Sequence, residues 1–150
     1  MKNIFLLITF TITSIFFLHG QNIMADDKQR KDIYSLIDKY SQAREKRDTV
    51  LLKTILTTDV DQLVSTGEWR IGIDASVKGM LNSSATSPGT RTLNIEKLRL
   101  FNANSGIVDC KYEIQNADGT IRKMWSTFIV ASDKGIWKIS AIRNMLPAAQ

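Results

Sequence analysis

The chain has 150 residues and is 43% apolar, which suits a single domain with one core. Its net charge of +5 is mild, and the charges are scattered, with no recognisable nucleic-acid module beside them, so nucleic-acid binding is not expected. A lone cysteine, Cys110, excludes an intramolecular disulfide and a Cys-rich zinc site.

The N-terminus sets the compartment. Met1-Lys2-Asn3 is a short positive start, Ile4 to Leu18 is uncharged and mostly apolar, and His19-Gly20-Gln21-Asn22 is polar. That is the order of a secretory signal peptide. The run is short of the ~20 apolar residues a span needs. The expectation is a leader over residues 1–20, cut after Gly20, with Ala25 as the alternative cut and an uncleaved anchor as the competing reading. The mature domain would cover 26–147 and be periplasmic or secreted, with no stable membrane association. His19 is the only histidine, and it leaves with the leader. Ser-His-Asp and Cys-His catalysis, His-Asp dyads and His-ligated metals are then excluded. No metal site and no cofactor is expected.

Asp26 to Lys46 reads as an amphipathic helix, because Ile33, Leu36, Ile37, Tyr40 and Ala43 recur at helical spacing. Its basic ends, Lys28-Gln29-Arg30-Lys31 and Arg44-Glu45-Lys46-Arg47, read as solvated face. Asp48 is a candidate N-cap for a second helix that carries Leu51, Leu52, Ile55 and Leu56 and ends near Thr57-Thr58. Val60, Leu63 and Val64 mark a short strand, Ser65-Thr66-Gly67 a turn, and Glu68 to Ile71 a return strand. After Gly72, Ile73, Val77, Met80 and Leu81 predict a short third helix, and Asn82 to Arg91 reads as a polar loop.

Four strands follow as a meander: Thr92–Asn102, Ile107–Gln115, Thr120–Ser132 and Ile136–Asn144. Asn116-Ala117-Asp118-Gly119 marks a tight hairpin between the second and third. Helices first and sheet last imply an α+β fold with N-terminal helices on one face of a curved antiparallel sheet. Alternation puts Ile121, Trp125, Ile129, Trp137, Ile139, Ala141 and Arg143 on one side and Met124, Phe128, Val130, Ile136 and Ile142 on the other. Two apolar faces need two covers, so a second subunit is expected on the face the helices leave.

Several segments together carry a family resemblance: Ile33 to Asp48, Leu51 to Asp61, Ser65 to Met80, and Gly135 to Pro147 with its Arg-Asn ending. They resemble the SnoaL-like branch of the nuclear-transport-factor-like superfamily, within it the SgcJ/EcaC-type group beside kinase association domains. The resemblance spans roughly residues 30–147. It implies a cone made by a curved sheet around the first helix, and commonly a homodimer through the sheet face. It leaves function open, because such folds host isomerases, dehydratases, cyclases, hydrolases and binders. The superfamily's Asp-His pair has no counterpart in a mature chain without histidine.

Candidate site residues follow. Trp69, Tyr112 and Trp125 can wall a ligand, while Arg70 or Arg143 can fix a carboxylate, phosphate or enol. For Arg143 the structural alternative is an ion pair with Asp59, Asp61 or Asp109. Asp109 and Glu113 are the weak candidates for a base raised in pKa by burial. Four positions apart on one strand, they are ~13 Å from each other, too far for a carboxylate pair. Three readings stay open: a binder of an apolar or aromatic small molecule with a polar end, a proton-transfer enzyme, and a dimerisation module.

Overall fold

The computed structural model describes residues 25–148; the leader expected over residues 1–20 lies outside them. Helix α1 spans Asp27–Lys46 and begins at a capping box: Gln29 N–H donates to Asp26 Oδ1 at 2.7 Å while Asp26 N–H donates to Gln29 Oε1. It ends at Arg47, in the left-handed region at φ 53°. Asp48 then caps α2, Thr49–Ile55, by accepting from Leu51 N–H at 2.9 Å.

Strand β1, Leu56–Leu63, starts earlier than the sequence suggested, because Leu56 already pairs with Ile139. A turn leads to β2, Trp69–Ile71, and then to α3, Ile73–Thr86. The third helix runs well into the stretch expected as loop. Its polar residues serve the helix: Ser83 Oγ donates to Gly79 O, Thr86 Oγ1 donates to Asn82 O, and Ser84 is buried. The meander is β3, Thr90–Asn102; β4, Ser105–Gln115; β5, Ile121–Asp133; and β6, Ile136–Met145.

The sheet is curved and unclosed, in the order β2-β1-β6-β5-β4-β3. Every pairing is antiparallel except β1 with β6. The sheet is therefore mixed rather than purely antiparallel. The three helices lie on its concave side. Ile33, Ile37 and Tyr40 of α1 and Leu52 of α2 pack on Val108, Phe128, Val130, Ile139 and Ile142. Tyr40 meets Phe128 edge to face at 5.1 Å.

One bulge decides which residues share a face. Val130 pairs with Ile139, but Ile129 pairs with Ala141, so Ser140 is an extra residue in β6. An extra residue reverses the side-chain alternation beyond it. Trp137, Ile139, Ile142 and Asn144 therefore face the helices, and Ala141, Arg143 and Met145 face outward. This corrects the expectation that Arg143 shares the side of Trp137 and Ile139.

Candidate functional site

The trough changes character along its length. On β4 the inward residues run Val108, Cys110, Tyr112, Ile114, and on β5 Val130, Phe128, Ser126, Met124, Arg122. The helices cover the first members of each series. The last members open into a cavity of about 210 Å³. Its other walls come from the C-terminal ends of α1 and α3, the β1–β2 connection, β3 and Asn144.

Four arginines, Arg44, Arg70, Arg91 and Arg122, line this cavity. Among the described residues Glu68 is the one carboxylate that does so. Each arginine is held differently.

Arg44 is only 7% exposed. It sits one turn after Tyr40 on the buried stripe of α1, so the helix carries its guanidinium into the trough. Nη1 donates to Tyr40 Oη at 2.9 Å and Nη2 to Ser84 Oγ at 3.4 Å, while Nε has no partner. Among the described residues no carboxylate lies within salt-bridge distance of it. Burial works against its charge, although the net direction of its pKa is upward because the Tyr40 and Tyr112 oxygens oppose that effect. Burial also pushes the Tyr40 phenol above its ordinary value. That phenol is neutral at physiological pH and offers Arg44 a lone pair without a charge. Arg44 is thus a buried cation whose protein partners are hydroxyls, an arrangement that costs several kcal/mol in lost hydration.

Arg70 is buried at 8% exposure. Its Nε and Nη2 donate to Glu68 Oε1 and Oε2 at 2.9 and 3.3 Å, Nη1 donates to Gln62 Oε1 at 3.3 Å, and Nη2 donates to Ser83 Oγ at 3.2 Å. The guanidinium lies against Gly79 of α3, where a β-carbon would stand 2.6 Å from Arg70 Cζ. Arg91 turns back on the α3–β3 connection, donating to Ser87 O at 2.6 Å and Gly89 O at 2.9 Å, and its Nε has no partner. Arg122 stands exposed at the rim.

The sequence candidates divide between the two faces. Arg70 and Tyr112 line the cavity. Arg143 lies outside it: its Nη1 donates to Asp61 Oδ1 at 2.6 Å, and its Cζ sits 4.8 Å over the ring of the half-exposed Trp69. The ion pair named as its structural alternative is the one formed. Trp125 also faces outward, with Lys111 Nζ 5.9 Å from its ring. Asp109 accepts from Thr127 Oγ1 at 2.6 Å on that outer face, and Glu113 lies 3.6 Å from Lys123 Nζ. Neither acid faces the cavity, because both alternate with the inward Cys110 and Tyr112. Arg44 and Arg91 were not singled out from the sequence. Arg44 had a usable signal, since Ile33, Ile37, Tyr40 and Arg44 keep one helical stripe.

No family model matches the chain, and no curated protein matches it. Solved structures do. An NTF2-like protein of unknown function from Shewanella oneidensis is 15% identical, with a TM-score of 0.66 over 77% of this chain and 98% of its own. A protein of unknown function with a cystatin-like fold from Nostoc punctiforme is 11% identical, with a TM-score of 0.74 over 85% and 97%. An uncharacterised cystatin-like protein from Caulobacter vibrioides is 17% identical, with a TM-score of 0.67 over 79% and 89%. At these identities the likeness establishes the fold, and function rests on the site.

Proposed function

We propose that this chain, which has the NTF2-like, cystatin-like fold, is an exported binder of a compact organic acid. Its trough would hold an apolar or aromatic body against Tyr112, Ile114 and Met124, and an anionic end against Arg44. The observation that carries this reading is the buried Arg44 guanidinium, which lines the cavity without a carboxylate beside it. An anion bound there would supply the countercharge the protein does not, with charge-assisted hydrogen bonds of a buried kind. At about 210 Å³, the cavity falls below the ~300–1,000 Å³ common for drug-sized ligands, which favours a small acid.

Export rests on the leader pattern of residues 1–20, and the SgcJ/EcaC-type grouping rests on the sequence segments alone. Dimerisation through the outer sheet face is part of the same reading. That face carries Trp125, Ile121 and Met145 at 37%, 51% and 49% exposure, apolar area that a second subunit would cover. The enzymatic alternative needs an unpaired carboxylate in the cavity. Glu68 is exposed, and the Arg70 guanidinium beside it holds its carboxyl below the usual range, so binding is the reading the geometry favours.

A thermal-shift screen of the mature protein tests this, using small aromatic and aliphatic carboxylates and phosphates beside their neutral amides and alcohols. The acids should raise the melting temperature and the neutral analogues should not. A screen in which no acid stabilises the protein would remove the reading.

A further inference from the structure

Arg70 and Glu68 form an unequal pair. Arg70 is fixed on three sides: Gln62 and Ser83 accept from it, and the bare α-carbon of Gly79 leaves room for it. Glu68 has Arg70 as its hydrogen-bond partner, and its side chain is 56% exposed against 9% for that of Arg70. It follows an open turn in which a β-carbon at Gly67 would meet nothing within 4 Å. The backbone there is set by Val64 N–H to Glu68 O at 2.9 Å, so a side-chain rotation alone would take the carboxylate into solvent. Only the Glu68 end of the pair is solvated, so its departure leaves a buried cation unpaired unless another carboxylate takes its place.

We infer that Glu68 is a built-in competitor for the ligand, and that the ligand carries a second acidic group, a planar carboxylate that replaces Glu68 on Arg70. This rests on the reading of the trough as an acid-binding site. Glu68 already displays the geometry required, with both carboxylate oxygens on two nitrogens of one guanidinium. That fork matches a carboxylate and holds it in one plane. With Glu68 swung outward, Arg44 and Arg70 present two buried cations on one small cavity, and a ligand with two carboxylates satisfies both. A monocarboxylate leaves one of them to Glu68. Glu68 thereby sets specificity, because only a ligand that gains more at Arg70 than Glu68 gives up displaces it.

The test is calorimetric titration of wild type and Glu68→Gln with a dicarboxylate series from succinate to adipate and with the matching monoamides. The best dicarboxylate should bind wild type at least tenfold more tightly than its monoamide, and Glu68→Gln should tighten the dicarboxylate about tenfold further. Glu68→Asp, too short to reach the fork, should move in the same direction, which separates competition from loss of a structural contact. Unchanged or weakened dicarboxylate binding in Glu68→Gln overturns the competitor role. Equal binding of dicarboxylate and monoamide to wild type overturns the second acidic group. If neither class binds wild type or Glu68→Gln, the acid-binding reading itself fails, an outcome distinct from both.

Discussion

The guanidinium of Arg70 lies across Gly79, in the interior of α3, where a β-carbon would come within 2.6 Å of Arg70 Cζ. A glycine inside a helix costs about 1 kcal/mol relative to alanine. The fold accepts that cost at a position where it seats a charged side chain on the cavity wall.

Gly79→Ala is therefore expected to displace Arg70 even though alanine is the better helix former. Gln62, 1% exposed, would lose its guanidinium donor, at about 1–3 kcal/mol for a buried group left unpaired. That outweighs the helical gain. The variant should unfold at lower urea concentration than wild type and bind acids at least tenfold more weakly. A more stable variant with unchanged binding would show that the contact is incidental.

Arg44→Met tests a trade between stability and binding. Methionine fills similar space without a buried charge. It removes a desolvation penalty of several kcal/mol and leaves Tyr40 without its donor, at about 1–3 kcal/mol. The balance favours the variant. Urea unfolding should show it at least as stable as wild type, while acid-induced stabilisation disappears. Marked destabilisation would mean that Arg44 is a structural strut instead.

Much of the fold was legible because its signals are local. Asp48 caps α2 where its position suggested, and Asp118-Gly119 turns the chain between β4 and β5, with Gly119 at φ 83°. The parallel pairing of β1 with β6 had no local signal, since the two strands lie far apart in the chain. The end of α3 was hidden because Asn82-Ser83-Ser84 has loop composition, although Ser83 and Ser84 turn inward to Arg70 and Arg44. Of the site residues expected from the sequence, Arg70 and Tyr112 line the cavity, whereas Trp69, Trp125, Asp109, Glu113 and Arg143 do not; for Arg143 the reason is the bulge at Ser140, which reverses the faces of β6 and sends it outward. Arg44 went unselected because its neighbours Glu45, Lys46 and Arg47 are charged, and the run looked like solvated surface.

The buried thiol of Cys110 gives a pH prediction. Burial, with lesser help from the carboxylates of Asp109 and Glu96, pushes its pKa up from 9.0 to about 12. Folding thus favours the protonated thiol, and its contribution is fully present below about pH 9. As pH rises from 9 towards 12 the unfolded chain loses that proton first, and stability falls. The loss approaches about 1.4 kcal/mol per pH unit from this group alone. Urea midpoints measured from pH 8 to 11 should decline in wild type and decline less in Cys110→Ala. Parallel declines would assign the effect to other groups. Native Cys110 should also resist thiol reagents at pH 8 until the protein is unfolded.

The outer face makes a separable prediction about assembly. Light scattering at micromolar concentration should give the mass of a dimer for wild type. Trp125→Glu, which places a charge among Ile121, Met145 and Trp125, should give a monomer that still binds acids. A monomeric wild type would contradict the dimer without touching the cavity.

The most direct measurement is calorimetric titration of one stabilising acid and its primary amide into wild type, Arg44→Met and Arg143→Ala. The acid should bind wild type and Arg143→Ala alike, with the amide at least tenfold weaker, and Arg44→Met should bind neither appreciably. Equal affinity for acid and amide, or unimpaired acid binding by Arg44→Met, would contradict the claim that a buried guanidinium in the trough recognises an anion.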